Sequence, residues 1–323
     1  MTVVCGAVRR KRSTSKDFDW DDLRNDVESD PSLRHHLLPF PPPAAAPAPP
    51  PPPDVAAAWG GFHARHHTGK FFKERRYLLK EFPELVSRGK KNPRVLEVGC
   101  GNGSTVLPIL RGNEDAVVYA CDCSGEALEY VKEMLGASNV ASIDRRFYPF
   151  LCDFALHGFP MWLACSPCRE TSLHQHCCSS GEEKVELPLR GFDMSEDSSC
   201  LGGVDFITLI FTLSAIPFQM MPKALAECFR VLKPGGLLLF RDYGLYDMTM
   251  LRFESGKRVG FREYMRSDAT RSYFFSLEIV RDLFCCAGFI ELELEYCCIK
   301  SLNRRSGKSM RRVWVHGKFQ KPS

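Results

Sequence analysis

The sequence predicts an α/β fold: a mainly parallel sheet with helices on both faces, preceded by a disordered Pro-rich tail. Three observations point there. Short β-branched runs alternate with helical stretches along most of the chain. The inner runs are apolar throughout, as strands covered on both faces must be. A turn with three glycines, "LEVGCGNGS" (96–104), follows the first of these runs. In order, the strands are "RVLEV" (94–98), "AVVYACD" (116–122), "RRFYPFLCD" (145–153), "VDFITLIF" (204–211), "GLLLFRD" (236–242), "FIELELEYC" (289–297) and "RRVWVHGKF" (311–319). Helical stretches are "GEALEYVKEML" (125–135), "MMPKALAECFRVL" (220–232) and "SLEIVRDLFCCAG" (276–288). No helical stretch separates the last two strands, which predicts a terminal antiparallel pair.

The chain of 323 residues suffices for one large or two ordinary domains. Residues 1–53 stand apart, with seven basic and seven acidic residues, and 11 of the 22 prolines fall within 31–53. Such a run has few amide protons for a helix or sheet and reads as an extended, solvated linker. Within it, "DFDWDDL" (17–23) reads as a solvated acidic cluster or a short partner-binding helix. "RRKR" (9–12) reads as a nuclear-import or RNA-contacting tail. A basic, aromatic segment (54–92) and the main domain (93–320) follow. No apolar stretch reaches the roughly 20 residues of a membrane span. Fifteen cysteines, several adjacent, suit thiols in a reducing compartment better than a disulfide framework, which points to the cytoplasm. The formal charge of +4 is small, so its distribution matters more than its total.

The glycine turn identifies the ligand class. In an open parallel sheet the ligand sits beyond the carboxyl ends of the strands. Gly99-Cys100-Gly101-Asn102-Gly103 brings its third glycine too early for a dinucleotide fingerprint, and no lysine follows as in a P-loop. Glu97, just before the turn, would repel pyrophosphate and attract an ammonium group. S-adenosylmethionine fits: it is phosphate-free, and its amino-acid end is a zwitterion for backbone amides and acids to hold. Asp122 closes the second strand 19 residues after Gly103, where an acid can take both ribose hydroxyls. Asp153 closes the third and could take the exocyclic amine of adenine; Ile210 offers an apolar wall. Alternatively the glycines make a plain strand-to-helix turn and the two aspartates cap helices.

Five segments are similar to the methyltransferase-like family that makes N3-methylcytidine in transfer RNA: "WGGFHARHHTGKFFKERRYLLKEFPEL" (59–85), "LIFTLSAI" (209–216), "VLKPGGLLLFRDYG" (231–244), "FRDYGLYDMTMLRF" (240–253) and "RSYFF" (271–275). The resemblance covers 59–154 and 203–320, and "FFKxR", "FRDYGLYD" and "RSYFF" are its most specific parts. It implies a seven-stranded Rossmann-like fold and, as substrate, the cytidine at position 32 of the anticodon loop in a subset of tRNAs. It also implies S-adenosylmethionine bound by Gly99, Gly101, Asp122, Asp153 and Ile210, with Trp59 and His63 folding over it from the N-terminal segment. His63 stands where the family has tyrosine. An aminoacyl-tRNA synthetase or another protein that presents the tRNA is the implied partner.

Charge patterning agrees with an RNA substrate. Residues 62–91 carry nine Lys/Arg against three acids, and residues 300–321 carry eight Lys/Arg and no acid. Arg65, Lys70, Phe71, Phe72, Lys73, Arg75 and Arg76 combine the cationic and aromatic groups that phosphates and unstacked bases need. The alternative is a helix with a buried aromatic face and a solvated basic side. N3 of neutral cytosine has a free lone pair, so methyl transfer needs positioning and no prior deprotonation. N3 lies on the Watson–Crick edge, so the base must be turned out. A carboxylate near the exocyclic amine would favour the cationic product ring. Asp242 is the candidate for that catalytic role and Arg241 for a phosphate contact; a structural salt bridge is the alternative for Asp242.

An insertion, 155–202, holds five cysteines, and Cys165 and Cys168 have zinc-knuckle spacing with His174, His176, Cys177 and Cys178 close behind. The single Cys-x-x-Cys and the "SSGEE" and "SEDSS" runs favour a loop with free thiols, so no metal is assigned. The function expected is S-adenosylmethionine-dependent tRNA N3-cytidine methylation. A protein or small-molecule methyltransferase on the same fold, and a non-catalytic RNA-binding subunit, are the alternatives.

Overall fold

The computed structural model describes residues 17–40, 54–66, 74–87, 89, 91–138, 140–167, 200–302, 307 and 309–323. Strand β1 (Arg94–Val98) pairs in parallel with β2 (Val117–Asp122) on one side and β4 (Val204–Ile210) on the other. With β3 (Phe147–Leu151), β5 (Leu232–Tyr243), β9 (Ile290–Leu302) and β10 (Ser309–Gln320) they form a seven-stranded sheet of order β3-β2-β1-β4-β5-β10-β9. Strand β10 is antiparallel to both β5 and β9, so the terminal antiparallel pair is present. The order reverses between β1 and β4, and there the crevice for a ligand opens.

Side-chain alternation divides the sheet into two cores. Val95, Val118, Ala120, Phe206 and Leu239 pack against helices α4 (Leu78–Glu81), α5 (Val106–Gly112) and α6 (Gly125–Gly136). Leu96, Val98, Ile207, Leu209 and Phe240 pack on the other face, against α7 (Phe154–His157), α8 (Met221–Val231) and α9 (Leu277–Cys286). Every residue of β4 is buried, which is why its sequence is apolar without alternation. The Ser124 hydroxyl accepts from the Ala127 amide at 3.2 Å and caps α6.

Two elements depart from the sequence expectation. Residues 17–40 are not a solvated tail. Asp19 caps helix α1 (Trp20–Ser29), and a short helix α2 (Arg34–Leu37) follows. Trp20, Leu23 and Val27 form one stripe; Leu23 and Val27 are buried in the main core, and Trp20 stacks on Tyr296 at 4.7 Å. The acids of "DFDWDDL" hid this short stripe. Residues 258–273 form a small antiparallel sheet, β6 (Arg258–Gly260), β7 (Glu263–Met265) and β8 (Arg271–Tyr273). Its three-residue strands are too short for period-2 alternation to reveal. Helix α3 (Val55–Arg65), capped by Asp54, opens the basic segment. Expectations for Arg9–Arg12, the prolines of 41–53, Lys70, Phe71, Phe72, Lys73, Cys168, His174, His176, Cys177 and Cys178 fall outside the described residues.

Candidate active site

The glycine turn is a tight crossing. Gly99 has φ +66°, and a Cβ there would lie 2.6 Å from Thr212 Cγ2, at the end of β4. Gly103 has φ +76°, and its Cβ would meet Val131 of α6 at 2.3 Å. Only glycine fits either place. The Thr212 hydroxyl donates to the Val98 carbonyl at 2.8 Å and ties the two strand ends together. Glu97 lies beneath the turn, fully buried, accepting from the Thr208 hydroxyl. Burial pushes its carboxyl up to about 7, against the pull of that hydrogen bond and of Arg75. It does not line the cavity, so the ammonium contact expected of it is not made directly.

Above the turn, a single cavity of about 1240 Å³ gathers the residues expected at a cofactor. Gly99, Gly101, Asp122, Asp153 and Ile210 line it from the strand ends, and Trp59 and His63 line it from α3. Asp122 Oδ2 accepts from the Gly101 amide at 2.8 Å and Oδ1 from the Ser124 amide at 3.0 Å. The Gly101 amide therefore serves Asp122. Burial raises the Asp122 carboxyl, and His63 opposes that rise. Burial likewise lowers His63 against the pull of Asp122 and Glu126. The His63 ring lies over the turn: a Cβ on Gly101 would come within 3.5 Å of its Cε1. Asp153 caps α7 through the Leu156 amide at 3.1 Å, so it is a helix cap as well as a cavity residue.

The opposite wall is aromatic and cationic. The Arg241 guanidinium lies 4.9 Å from the ring centre of Tyr77 and 4.5 Å from that of Trp314, and Arg75 lies 5.2 Å from Phe211. Strand register explains the assembly. In the β5–β10 pair Tyr243 opposes Trp314 and Arg241 opposes His316, so alternate residues of both strands share one face. Trp314, Phe211 and Glu81 escaped the sequence reading; Phe211 carries a faint signal in its left-handed φ of 58°, which only coordinates reveal.

Several site expectations need correction. Asp242 is fully buried and does not line the cavity. It accepts from the Ser214 amide at 2.9 Å and the Tyr243 amide at 2.8 Å, and burial pushes it up to about 6. It holds the Leu213–Ala215 turn, and in this arrangement it cannot touch a substrate. Among the described residues it is not in the salt bridge weighed as the alternative either. Arg241 is 4 % exposed and paired with Glu81, so it faces the cavity and is shielded from the outer surface where a tRNA backbone would run. Arg75 lines the cavity, Arg76 is exposed and pairs with Glu74, and Arg65 is exposed with Asp268 at 3.8 Å. The buried Cys165 thiol lies 3.1 Å from Lys321 Nζ, and among the described residues no three ligating side chains gather as a metal site would need.

The cavity can hold a methyl donor and an acceptor side by side. Burial raises the thiols of Cys100, Cys123, Cys152 and Cys297, all of which line the cavity; Cys152 and Cys297 reach about 12. Burial thus disfavours the thiolate form of each. The volume exceeds that of an ordinary single-ligand pocket and accommodates a cofactor beside an acceptor.

A methyltransferase-domain family model matches residues 65–293. A tRNA N(3)-cytidine methyltransferase METTL6 of Rattus norvegicus is 35% identical over 82% of this chain and 78% of its own length. "O-methyltransferase 3" of Dictyostelium discoideum is 36% identical over 76% of this chain, which spans only 47% of that relative. A solved S-adenosylmethionine-dependent methyltransferase of Anabaena variabilis shares the fold, with a TM-score of 0.52, 14% identity, and coverage of 86% of this chain and 98% of that one. With the glycine turn, the paired acids and the single cavity in place, the chain belongs to the methyltransferase family, among the relatives of the tRNA N(3)-cytidine methyltransferases.

Proposed function

We propose that this protein is an S-adenosylmethionine-dependent tRNA methyltransferase that forms N3-methylcytidine at position 32 of the anticodon loop in a subset of tRNAs. The observation that carries this reading is one cavity with two unlike ends: a glycine turn with Asp122 and Asp153, and a wall of Tyr77, Arg241, Phe211, Tyr243 and Trp314. The cofactor supplies an electrophilic methyl group. Asp122 would hold its ribose, Ile210 and Asp153 its adenine, and Trp59 and His63 would cover it and exclude water. Rings and guanidinium planes give an extruded pyrimidine surfaces to stack on. Methylation of a ring nitrogen uses a lone pair that is already available and needs no thiolate adduct, unlike carbon alkylation.

Arg65, Arg75 and Arg76, together with Lys70 and Lys73, would carry the RNA contacts, so binding should fall steeply with salt. A cytoplasmic or nuclear site of action, and a synthetase or other protein that presents the tRNA, belong to the same proposal. The Dictyostelium relative's name favours a second reading, methylation of an oxygen acceptor, for which salt would matter little. The deciding experiment is mass spectrometry of tRNA nucleosides from cells lacking the protein, with add-back. Loss and restoration of N3-methylcytidine supports the proposal, and unchanged levels overturn it.

A further inference from the structure

The cavity wall contains a carboxylate that no expectation had singled out. Among the described residues, four acids line the cavity: Glu81, Asp122, Asp153 and Asp268. Asp122 and Asp153 lie at the glycine turn. Asp268 accepts from the Thr270 amide and hydroxyl, at 3.0 and 2.7 Å, and faces Arg65. Glu81 alone stands in the aromatic wall. It ends α4, and one of its oxygens accepts from Arg241. The other lies 2.9 Å from His316 Nδ1, while His316 Nε2 lies 3.1 Å from Glu293. An imidazole with a carboxylate oxygen at each nitrogen is satisfied when both nitrogens carry protons. His316 is 2 % exposed and stacks on Phe82 at 4.9 Å, which fixes its plane. Arg241 Nε and the indole N–H of Trp314 are buried with no acceptor among the described residues.

We infer that Glu81 is the catalytic carboxylate that accepts the exocyclic amine of the target cytosine, and that His316 and Arg241 position it. This rests on the tRNA-cytidine reading above. As the N3–carbon bond forms and the sulfur–carbon bond breaks, the sulfonium becomes a neutral thioether and the ring takes the positive charge. That charge spreads to the exocyclic nitrogen, so its hydrogen bond to Glu81 strengthens towards the transition state. No proton leaves the ring. The same acceptor discriminates bases: cytosine presents an N–H donor there, and uracil presents an oxygen. Other ionisable groups around Glu81 are Glu293, Lys318, Glu84, Tyr77 and Cys297; Lys318 bridges Glu84 and Glu293 at 2.7 and 3.6 Å. Burial would raise the Glu81 carboxyl, but His316 and Arg241 outweigh it and hold it below the ordinary range.

The test uses the whole protein with anticodon stem-loops that carry cytidine or uridine at the target position, and Glu81→Gln and His316→Gln variants. Glu81→Gln is expected to cut kcat about 100-fold while S-adenosylmethionine affinity, read by calorimetry, stays within about twofold of the unaltered protein. The preference for binding the cytidine over the uridine loop, about tenfold in the unaltered protein, should collapse. Where the unaltered protein methylates cytidine and a folded Glu81→Gln variant keeps its kcat and its base preference, Glu81 is excluded and the tRNA reading survives. An unaltered protein that leaves cytidine unmethylated overturns both. If Glu81→Gln fails to bind the cofactor, His316→Gln decides. Removing the His316 contact that lowers the Glu81 carboxyl raises it, so the acid limb of the kcat–pH profile must move to higher pH with KM unchanged; an unmoved limb with unchanged kcat overturns the assignment.

Discussion

Glu97 and Asp242 are carboxylic acids held in the dry interior beside the strand ends. Both folded-state values lie above those of the free side chain, about 7 against 4.5 for Glu97 and about 6 against 3.8 for Asp242. An acid whose value rises on folding stabilises the fold fully below the unfolded value, and that stability is lost as pH climbs through the folded value. Stability from Glu97 should therefore fall between about pH 4.5 and 7, by on the order of 3 kcal/mol in all. His36, buried beside Tyr264 and lowered to about 4 by burial, works the other way and loses stability as pH falls from 6.5 towards 4. Denaturant titrations between pH 5 and 8 should show Glu97→Gln with a flatter decline than the unaltered protein. Asp242→Asn leaves one buried amide without its acceptor and should cost about 1–3 kcal/mol. Because the Leu213–Ala215 turn moves with it, methylation should fall too, which thermal melts and turnover measured together will read. Gly99→Ala forces a Cβ against Thr212 at an unfavourable φ. It should lose about 2 kcal/mol or more and most of its cofactor affinity, measurable by calorimetry.

At the scale of elements, the sheet was legible and its decoration was not. Strands β1, β2 and β4 announced themselves as apolar runs because they lie inside the sheet, while β3, at its edge, is partly exposed; β9 and β10 were visible though longer than expected. Helix α1 was concealed because four of the seven residues of "DFDWDDL" face water, while the three residues that matter are spaced three and four apart. Its docking is specific: the Trp20 indole donates to the Leu245 carbonyl at 3.2 Å, and Arg311 pairs with Asp26 at 2.6 Å. Trp20→Ala should cost about 2 kcal/mol or more, and hydrogen exchange should rise over 20–29 before it rises in the sheet. The glycine-turn end of the cavity was legible because its residues cluster at the ends of consecutive strands. The acceptor end was not. Glu81, Phe211 and Trp314 come from three distant segments, and only strand register shows that Trp314 stands beside Tyr243.

For the whole molecule, the two ends of the cavity draw on different parts of the chain. The cofactor end is built from 55–66, the glycine turn and the strand ends up to β4; the acceptor end adds α4, β5, β9, β10 and the small β6–β8 sheet. Cofactor binding and acceptor binding should therefore separate under mutation, with wall variants affecting tRNA and turn variants affecting the cofactor. Among the described residues no helix is long and apolar enough to cross a membrane. Strand β10 sits between β5 and β9; it supplies Arg312 and Trp314 to the cavity wall and His316 as a partner of Glu81. A ribosome makes it after both of its neighbours, so β9 has no seat in the sheet, and no acceptor pocket exists, until residue 320 has cleared the exit tunnel. A nascent chain stalled at residue 308 would carry the glycine turn and both of its acids without the Trp314 side of the aromatic wall.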